Sequence, residues 1–318
     1  MNYMIGVDLG GTTMTAGLVD ENYQIVEKLT WPTSLPRPAE ELESSMAELC
    51  RTLCTQAKVD FSQVRWVGIG TPGSVNSATG HVGFNVNFGY HNWNLGPNLE
   101  ALLGCPVYIE NDANAAAYGE YMAGAAKGAR NAVVVTLGTG VGSGIIIDGK
   151  IYAGSNYAGA EMGHMVIVKG GRPCNCGRNG CWERYASSRA LAEEAVEAME
   201  RDPDQMMWKL AQGDLSKVGA KTVFDAMDRG DETAYTLFNR WVEYVACGIC
   251  TVVNIFQPEV VVVGGGVSAQ GEKLLGPIRE LVDREEYNRD GENRTRIRAA
   301  TLGNDAGVLG AASLGNQH

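Results

Sequence analysis

Two related stretches, separated by 128 positions, most limit the folds that this chain can adopt. IGVDLGGTTMTAGLVD runs from Ile5 to Asp20, and VVVTLGTGVGSGIIID runs from Val133 to Asp148. Each consists of a β-rich run, a turn of glycine and threonine, and a second β-rich run, which predicts a hairpin. One such hairpin would be ordinary, but its repetition in a chain of 318 residues predicts two similar domains.

The two turns are also candidate phosphate-binding loops. Glycine lets backbone N–H groups approach an anion closely, and threonine adds a hydroxyl donor. Asp8 precedes the first turn, whereas Thr136 occupies the matching position before the second. Two loops that hold one nucleotide need only one carboxylate to support a hydrated Mg²⁺ ion. The predicted phosphate-binding residues are Gly10, Gly11, Thr12, Thr13, Thr139 and Gly140.

A strand that runs into a polar pair lies between the two hairpins. VYIE, from Val107 to Glu110, is followed by Asn111, Asp112 and an alanine-rich segment that predicts a helix. Asp112 could serve only as the N-cap of that helix. Ligands of α/β sheets bind at the carboxyl ends of strands, so the same position also suits a carboxylate that acts on a substrate. Both interpretations fit the residues alone.

A run of valines, Val260 to Val263, forms a third strand pattern and ends in three consecutive glycines before a helical pattern. Glycines placed between a strand and a helix permit close backbone contact with a nucleotide. We therefore predict that cofactor binding also involves Gly264, Gly265 and Gly266.

The eight cysteines fall into two groups. Five lie in apolar surroundings, where cysteine behaves as a small buried hydrophobe; they are Cys50, Cys54, Cys105, Cys247 and Cys250. The other three share a segment rich in glycine, arginine and asparagine with one histidine; this set is His164, Cys174, Cys176 and Cys181. Three thiolates and an imidazole are the donors of a closed tetrahedral zinc site, although the common C-x2-C spacing is missing. A closed site has no position for water, so we predict a structural zinc.

Composition narrows the classes of function. Apolar residues make up 45% of the chain, as in a folded protein with a sizeable core. The formal net charge is -11 without a clustered basic stripe, which argues against nucleic acid as a partner. The first residues lack the pattern of a secretory signal, and the apolar runs fall short of the roughly 18–20 residues that span a bilayer. We expect a cytoplasmic protein with no membrane partner.

Seven motifs together resemble one protein family. The order DLGGTT, GIGTPG, ENDANAAAYGE, TLGTGVGSG, EMGH, CNCGRNGCWE and GGGVS resembles the ROK family of bacterial sugar kinases and repressors, within the actin/hexokinase/Hsp70 ATPase superfamily. The resemblance spans Gly6 to about Gly315 and is most specific at the cysteine motif. It implies an α/β fold of two ribonuclease-H-like (actin-like ATPase) domains with an interdomain cleft. We expect a small domain of residues 1–117 plus 303–318, and a larger domain of residues 118–302 with the zinc loop.

The resemblance also implies a role for each group of candidate residues. It implies a zinc ion that is held by His164, Cys174, Cys176 and Cys181. It implies Asp112 as the catalytic base, and contacts to sugar hydroxyls from Asn85, Asn111, Asp112, Glu161, His164 and Glu183. Because Glu161 and Glu183 closely flank the zinc ligands, a metal clamp on the loop would also orient these carboxylates toward a sugar.

Two positions depart from the family pattern. Thr13 stands where many members have lysine, so phosphate binding is expected to rest on backbone N–H groups, Thr12 and Mg²⁺. The spacing of FNVNFGYHNWNLGPNLE leaves open whether Asn85 or Asn87 contacts the sugar.

These features predict a sugar kinase. We expect transfer of the ATP γ-phosphoryl group to a primary hydroxyl of a hexose, most simply O6 of glucose. Kinases for N-acetylmannosamine, N-acetylglucosamine, fructose or allose share the motifs and stay open as alternatives, as does a non-catalytic sugar-binding sensor. A repressor of the family would carry a helix-turn-helix before the first phosphate loop. Because Asp8 of that loop is only the eighth residue, we expect no room for such an element. The resemblance implies a homodimer or a homotetramer.

Overall fold

A computed structural model of the protein describes residues 2–85, 88–202 and 205–318. The strands are β1 (Tyr3–Leu9), β2 (Thr13–Val19), β3 (Ile25–Pro32), β4 (Val64–Thr71), β5 (Ser74–Asn76), β6 (His81–Asn85), β7 (Tyr90–Trp93), β8 (Val107–Asn111), β9 (Ala132–Leu137), β10 (Val141–Ile147), β11 (Lys150–Ile151), β12 (Val260–Gly264) and β13 (Arg296–Ala299). The α-helices are α1 (Ala39–Ala57), α2 (Leu95–Leu103), α3 (Asp112–Met122), α4 (Glu183–Ala186), α5 (Ser188–Arg201), α6 (Met206–Leu210), α7 (Ala220–Met227), α8 (Glu232–Phe256), α9 (Glu272–Glu285) and α10 (Ala306–Ser313).

The first sheet has the strand order β3-β2-β1-β4-β8. Strands β1, β2 and β3 pair antiparallel, whereas β4 pairs parallel with both β1 and β8. The register sets Asp8 beside Gly70, and Gly70 beside Glu110. The carboxyl ends of three parallel strands therefore meet at one edge of this sheet, where α/β folds bind their ligands.

The second sheet repeats this arrangement with the order β11-β10-β9-β12-β13. Its first two strands pair antiparallel and its last two pair parallel, as in the first sheet. The two hairpins found in the sequence are β1–β2 and β9–β10, and each contributes the central strand of its sheet. This equivalence confirms the prediction of two similar α/β folds. A small third sheet has the order β5-β6-β7.

The chain divides into two compact units. Unit 1 consists of Met1–Val134, Gly144–Ala160 and Thr301–His318, and unit 2 consists of Val135–Ser143 and Glu161–Ala300. The division passes through β9 and β10. Among the described residues, no helix combines the length and the apolar character that crossing a bilayer requires.

Helix α10 packs closely against the backbone of β1 and β4 in unit 1. A Cβ atom on Gly6 would lie 1.9 Å from the carbonyl oxygen of Val308, and one on Gly68 would lie 1.8 Å from that of Ala311. No side chain fits at these distances, so β1 and β4 need glycine where the helix crosses them. The sequence pattern of small residues in NDAGVLGAASLG is thus explained by close helix–sheet packing.

The long helix α8 organises the core of unit 2. Trp182 is fully buried, and its indole Nε1 donates to the carbonyl oxygen of Tyr244 on α8 at 2.8 Å. A Cβ atom on Gly248 would lie 2.0 Å from the Trp182 ring, so α8 leaves a notch for this indole. Because Trp182 immediately precedes Glu183, the packing also fixes the start of α4.

The burial of the five cysteines outside the loop was only partly predicted correctly. Cys50, Cys54 and Cys250 are buried, Cys105 is partly buried, and Cys247 is exposed. The prediction for Cys247 is wrong because this residue lies one helical turn after the exposed Glu243, on the solvent-facing side of α8.

Candidate active site and metal centre

Two carboxylates define the candidate site of unit 1. Asp8 lies in β1 just before the first turn, and Asp112 is the first residue of α3. Burial raises the pKa of the Asp8 carboxyl above its ordinary value, and the neighbouring Asp112 raises it further. Burial also raises the pKa of Asp112, although hydrogen bonding to the backbone N–H of Ala113 opposes the shift. Two acids with raised pKa values at a strand edge are typical of a site that holds a cation or transfers a proton.

The N-cap of α3 is Asn111. Its side-chain oxygen accepts hydrogen bonds from the backbone N–H groups of Ala113 at 2.9 Å and Asn114 at 3.2 Å. Its amide nitrogen donates to the carbonyl oxygen of Gly73 at 3.2 Å. The capping role that the sequence also allowed for Asp112 therefore belongs to its neighbour, and no cap explains Asp112.

A third carboxylate, Glu110, supports this turn from inside the sheet. Its Oε1 accepts from the backbone N–H of Asn111 at 2.8 Å and from the side chain of Asn114 at 3.1 Å. Burial raises the pKa of the Glu110 carboxyl. Sequence reasoning missed this residue, although an acid that ends an apolar strand was a usable signal.

Hydrogen bonds from Thr33 stabilise the first glycine turn. The Thr33 hydroxyl donates to the carbonyl oxygen of Gly10 at 2.7 Å, and its backbone N–H donates to that of Thr12 at 2.8 Å. Gly10 N–H donates to the carbonyl oxygen of Thr13 at 2.9 Å, which closes the turn. Gly11, Thr12 and Thr13 are exposed. The turn thus presents its outer residues to solvent while a buried threonine fixes its carbonyl groups.

Asn85 is fully buried and bonded to protein groups. Its side-chain nitrogen donates to the Thr71 hydroxyl at 3.4 Å and to the carbonyl oxygen of Pro72. Its side-chain oxygen accepts from the backbone N–H of Phe88 at 3.2 Å. The alternative sugar contact, Asn87, lies outside the described residues.

The candidate site of unit 2 is a cavity of about 310 Å³. It joins the second glycine turn, three polar residues predicted for sugar binding, and one glycine of the triple-glycine segment; its lining includes Gly138, Gly140, Glu161, His164, Glu183 and Gly265. Thr136 also lines this cavity, and the predicted Thr139 is exposed on the same turn. Gly264 ends β12, and Gly266 begins the short 3₁₀ turn that follows.

Close backbone packing fixes the walls of this cavity. The Ser188 hydroxyl donates to the carbonyl oxygen of Gly138 at 2.7 Å, which ties the turn to the start of α5. Gly265 has φ +87°, and a Cβ atom there would lie 2.3 Å from the carbonyl oxygen of Leu137. A Cβ atom on Gly140 would lie 2.8 Å from Oε2 of Glu183. The carboxylate and the second turn are therefore immediate neighbours.

The EMGH motif forms a 3₁₀ turn, Met162–His164, with Glu161 as its exposed N-cap residue. A Cβ atom on Gly163 would lie 2.2 Å from the carbonyl oxygen of Val141. The backbone N–H of Met162 donates to the hydroxyl of Ser143 at 3.2 Å. The glycine of this motif thus lets the turn press against β10, which sets the direction of its two flanking polar side chains.

The four predicted zinc ligands converge. One ligand atom from each of His164, Cys174, Cys176 and Cys181 lies within 4.8 Å of the others. Nδ1 of His164 is 3.6 Å from the sulfur of Cys174, and the sulfurs of Cys176 and Cys181 are 3.5 Å apart. Tetrahedral zinc with bonds of about 2.0–2.3 Å separates its ligand atoms by roughly 3.3–3.8 Å, so this donor set fits zinc.

Glu183 adjoins this cluster. Its Oε1 is 3.1 Å from the sulfur of Cys174 and 3.7 Å from Nδ1 of His164. The Glu183 carboxylate therefore lies between the metal ligands and the cavity. Its position depends on the position of the loop that carries the cysteine ligands.

The sheets and the sites together define an α/β protein of the actin-like ATPase class. The chain belongs to the ROK family, whose family model matches residues 4–318. It is 39% identical to a glucokinase of Thermotoga maritima over 313 residues, which cover 98% of this chain and 96% of that protein. It is 38% identical to a glucokinase of Streptomyces coelicolor, with 100% of this chain and 98% of that protein covered. A crystal structure of a ROK family glucokinase from Streptomyces griseus in complex with glucose and AMPPNP superposes with a TM-score of 0.81 at 36% identity, with complete coverage of both chains.

Proposed function

We propose that the protein is an ATP-dependent hexokinase that phosphorylates a primary hydroxyl of a hexose, with glucose as the preferred substrate. The observation that carries the proposal is the full-length similarity to glucokinases, one of them solved with glucose and an ATP analogue. The motif residues of this chain have the chemistry that such a reaction needs. Another hexose, such as N-acetylmannosamine, N-acetylglucosamine, fructose or allose, is the alternative substrate.

Asp112 is the proposed general base. Asn111 already caps α3, so the Asp112 carboxylate is available to accept the proton of the attacking sugar hydroxyl. The hydroxyl oxygen then forms a bond to the γ-phosphorus of ATP as the bond to the leaving ADP oxygen breaks. The raised pKa of Asp112 makes it a stronger proton acceptor than an exposed aspartate.

The nucleotide is assigned to the glycine turns and Asp8. Exposed backbone N–H groups and hydroxyls of the first turn would hold phosphate oxygens, as would the second turn and the triple glycine. Mg²⁺, when bound, would neutralise phosphate charge, and Asp8 would support its water ligands. The proposed set is Asp8, Gly10, Gly11, Thr12, Thr13, Thr139, Gly140, Gly264, Gly265 and Gly266.

The sugar hydroxyls are assigned to the polar residues that the sequence motifs identify. Glu161 and Glu183 would accept hydrogen bonds from sugar hydroxyls. Nδ1 of His164 faces the cysteine cluster, which leaves its Nε2 for a sugar hydroxyl. Asn85 and Asn111 complete the proposed set, and each would add a sugar contact to the protein contacts that its amide already makes.

Zinc has a structural role in this proposal. His164, Cys174, Cys176 and Cys181 would hold it, and a closed set of four protein ligands provides no position for substrate or water. The bound metal would supply a rigid loop, and the chain's own residues would perform the chemistry.

The proposed enzyme is cytoplasmic and homo-oligomeric. Its proposed domains are residues 1–117 plus 303–318 and residues 118–302.

A coupled ADP-release assay over a panel of hexoses tests this function. We expect ADP release that requires both Mg²⁺-ATP and a sugar, with the highest kcat/KM for glucose. Higher kcat/KM for N-acetylmannosamine or another hexose would replace the substrate but retain the reaction. Sugar binding by calorimetry without ADP release from any sugar would instead identify a sensor and would reject the kinase.

A further inference from the structure

Arg172 contacts two of the helices that follow the loop of Cys174, Cys176 and Cys181. Its Nη2 pairs with Oε1 of Glu194 at 2.6 Å, and its Nη1 donates to the carbonyl oxygen of Arg184 at 3.1 Å. Its backbone N–H donates to the hydroxyl of Tyr185 at 2.7 Å, and its guanidinium lies 4.8 Å from the centre of that ring. One side chain therefore connects the loop to both α4 and α5.

Glu194, the partner on α5, is a buried anchor. Its side chain is only 4% exposed, and its second oxygen accepts from Nε of Arg240 on α8 at 3.1 Å. A buried carboxylate with two arginine partners holds a fixed position because any movement would leave a charge unpaired. Arg172 is thus attached to the rigid helical core of unit 2.

The two ends of this connection adjoin the proposed site. Arg172 lies two residues before Cys174, and the groups that it holds, on Arg184 and Tyr185, directly follow Glu183. The connection uses none of the four metal ligands. The loop and the helix that carries Glu183 are therefore joined by two links, one through the metal cluster and one through this arginine.

We infer that Arg172 is a positioning residue that aligns the cysteine loop with Glu183 and so sets both metal retention and the affinity for the sugar. The inference rests on the proposed function for its sugar part and on geometry alone for its metal part. A planar guanidinium holds its donors in a rigid fork that reaches a carboxylate and a carbonyl group on two elements at once, whereas the compact ammonium of lysine lacks this spread.

The test compares Arg172→Met, which keeps the apolar stem, with a matched control, Arg294→Met. Arg294 also pairs with a buried carboxylate, Glu286, and donates to a backbone carbonyl, that of Asp283. Its side chain is 30% exposed, against 33% for Arg172. The control removes the same kind of contact in unit 2 but touches neither the loop nor α4.

Four quantities are measured for each purified, zinc-loaded variant: zinc affinity by competition with a chromophoric chelator, the KM for glucose, the KM for ATP, and Tm. Residues that orient metal ligands typically change affinity about 10-fold to 100-fold. For Arg172→Met we expect zinc affinity about 10-fold lower and a glucose KM about 10-fold higher, with the ATP KM within about two-fold. For Arg294→Met we expect only a lower Tm.

Arg172→Lys is the alternative test variant if Arg172→Met does not fold. It keeps the charge, and we expect lower zinc affinity and lower glucose affinity, because one ammonium nitrogen does not span the separation between the Glu194 carboxylate and the Arg184 carbonyl group as the guanidinium does. Wild-type zinc affinity and glucose KM in the foldable Arg172 variants would overturn the inference, as would equal losses in Arg294→Met. A wild-type protein without kinase activity would reject the proposed function alone, since the comparison of zinc affinities needs no turnover.

Discussion

At the scale of single residues, Asp112 shows the cost in stability of burying a carboxyl group. Burial raises its pKa above the ordinary value of 3.8, which means that the ionised form is less favourable in the folded protein than in the unfolded chain. Between the unfolded and the folded pKa, the folded protein binds more protons. Its stability therefore falls as the pH rises through that window.

Asp112→Asn tests both consequences. Asparagine cannot accept the sugar proton, so kcat is expected to fall about 10²- to 10⁴-fold, with a change of only a few-fold in the sugar Kd. Because the amide carries no charge, Tm at pH 7 should match or exceed that of the wild type, and this advantage should vanish below pH 3.8. Single-turnover kinetics, calorimetry and thermal melts at several pH values measure these effects. A variant that keeps more than about a tenth of kcat would contradict the base assignment.

Thr33→Val tests the support of the first turn. Valine keeps the shape of threonine but removes the 2.7 Å hydrogen bond to the carbonyl oxygen of Gly10. A buried hydrogen bond contributes about 0.5–1.5 kcal/mol, so we expect the ATP KM to rise about 3- to 10-fold while the sugar KM is retained. Ser313→Ala, which removes a buried hydroxyl–carbonyl bond of the same length in α10, is the control. A rise in ATP KM in both variants, or in neither, would count against a specific role for Thr33.

At the scale of elements, the EMGH turn depends on one glycine. A methyl group at position 163 would lie 2.2 Å from the carbonyl oxygen of Val141, so Gly163→Ala must displace the turn that carries Glu161 and His164. We expect the glucose KM to rise at least about 10-fold, because a displacement of about 1 Å can cost a factor of 10². Gly276→Ala is the control, since its Cβ meets no atom within 4 Å and alanine favours the helix α9. The glucose KM of both variants is measured by steady-state kinetics. A Gly163→Ala value equal to that of the control would disprove the prediction.

The elements that sequence reasoning identified are those with a strong local pattern. The two hairpins, the strand before Asp112 and the cysteine loop were all predicted, because strand composition and glycine turns are encoded within a few neighbouring residues. The burial of Cys247 was predicted wrongly, because its neighbours along the chain are apolar while Glu243, one turn before it, faces solvent. Apolar surroundings in sequence do not determine which side of a helix a residue occupies.

The supporting residues of the site had no such local pattern. Thr33 bonds to Gly10 across 23 positions, and Arg172 pairs with Glu194 across 22 positions. Neither Thr33 nor Arg172 belongs to a motif, so only the folded structure reveals these bonds. The same limit applies to Asp112, for which the residues allowed a cap or a base until the hydrogen bonds of Asn111 assigned the cap.

At the scale of the whole molecule, the metal is expected to link stability to sugar binding. Purified protein should contain about one zinc per chain, and removal by a chelator should lower both Tm and glucose affinity, because binding of a structural metal contributes to folding. Cys176→Ser should do the same, whereas Cys247→Ser, another exposed cysteine, should do neither. Elemental analysis, melting curves and calorimetry provide the measurements. Fully active protein without metal would exclude a structural zinc.

The position of α10 in unit 1 affects how the protein folds during its synthesis on the ribosome. The residues that build unit 2, through Ala300, are all synthesised before Ala306–Ser313. Until that helix emerges, the glycine-lined surface of β1 and β4 that receives it stays uncovered in the nascent chain. Unit 2 can thus form its core during translation, whereas unit 1 is incomplete until α10 has been synthesised. A sheet surface that stays exposed during synthesis favours aggregation, so the last helix of the chain protects unit 1 as well as completing its core.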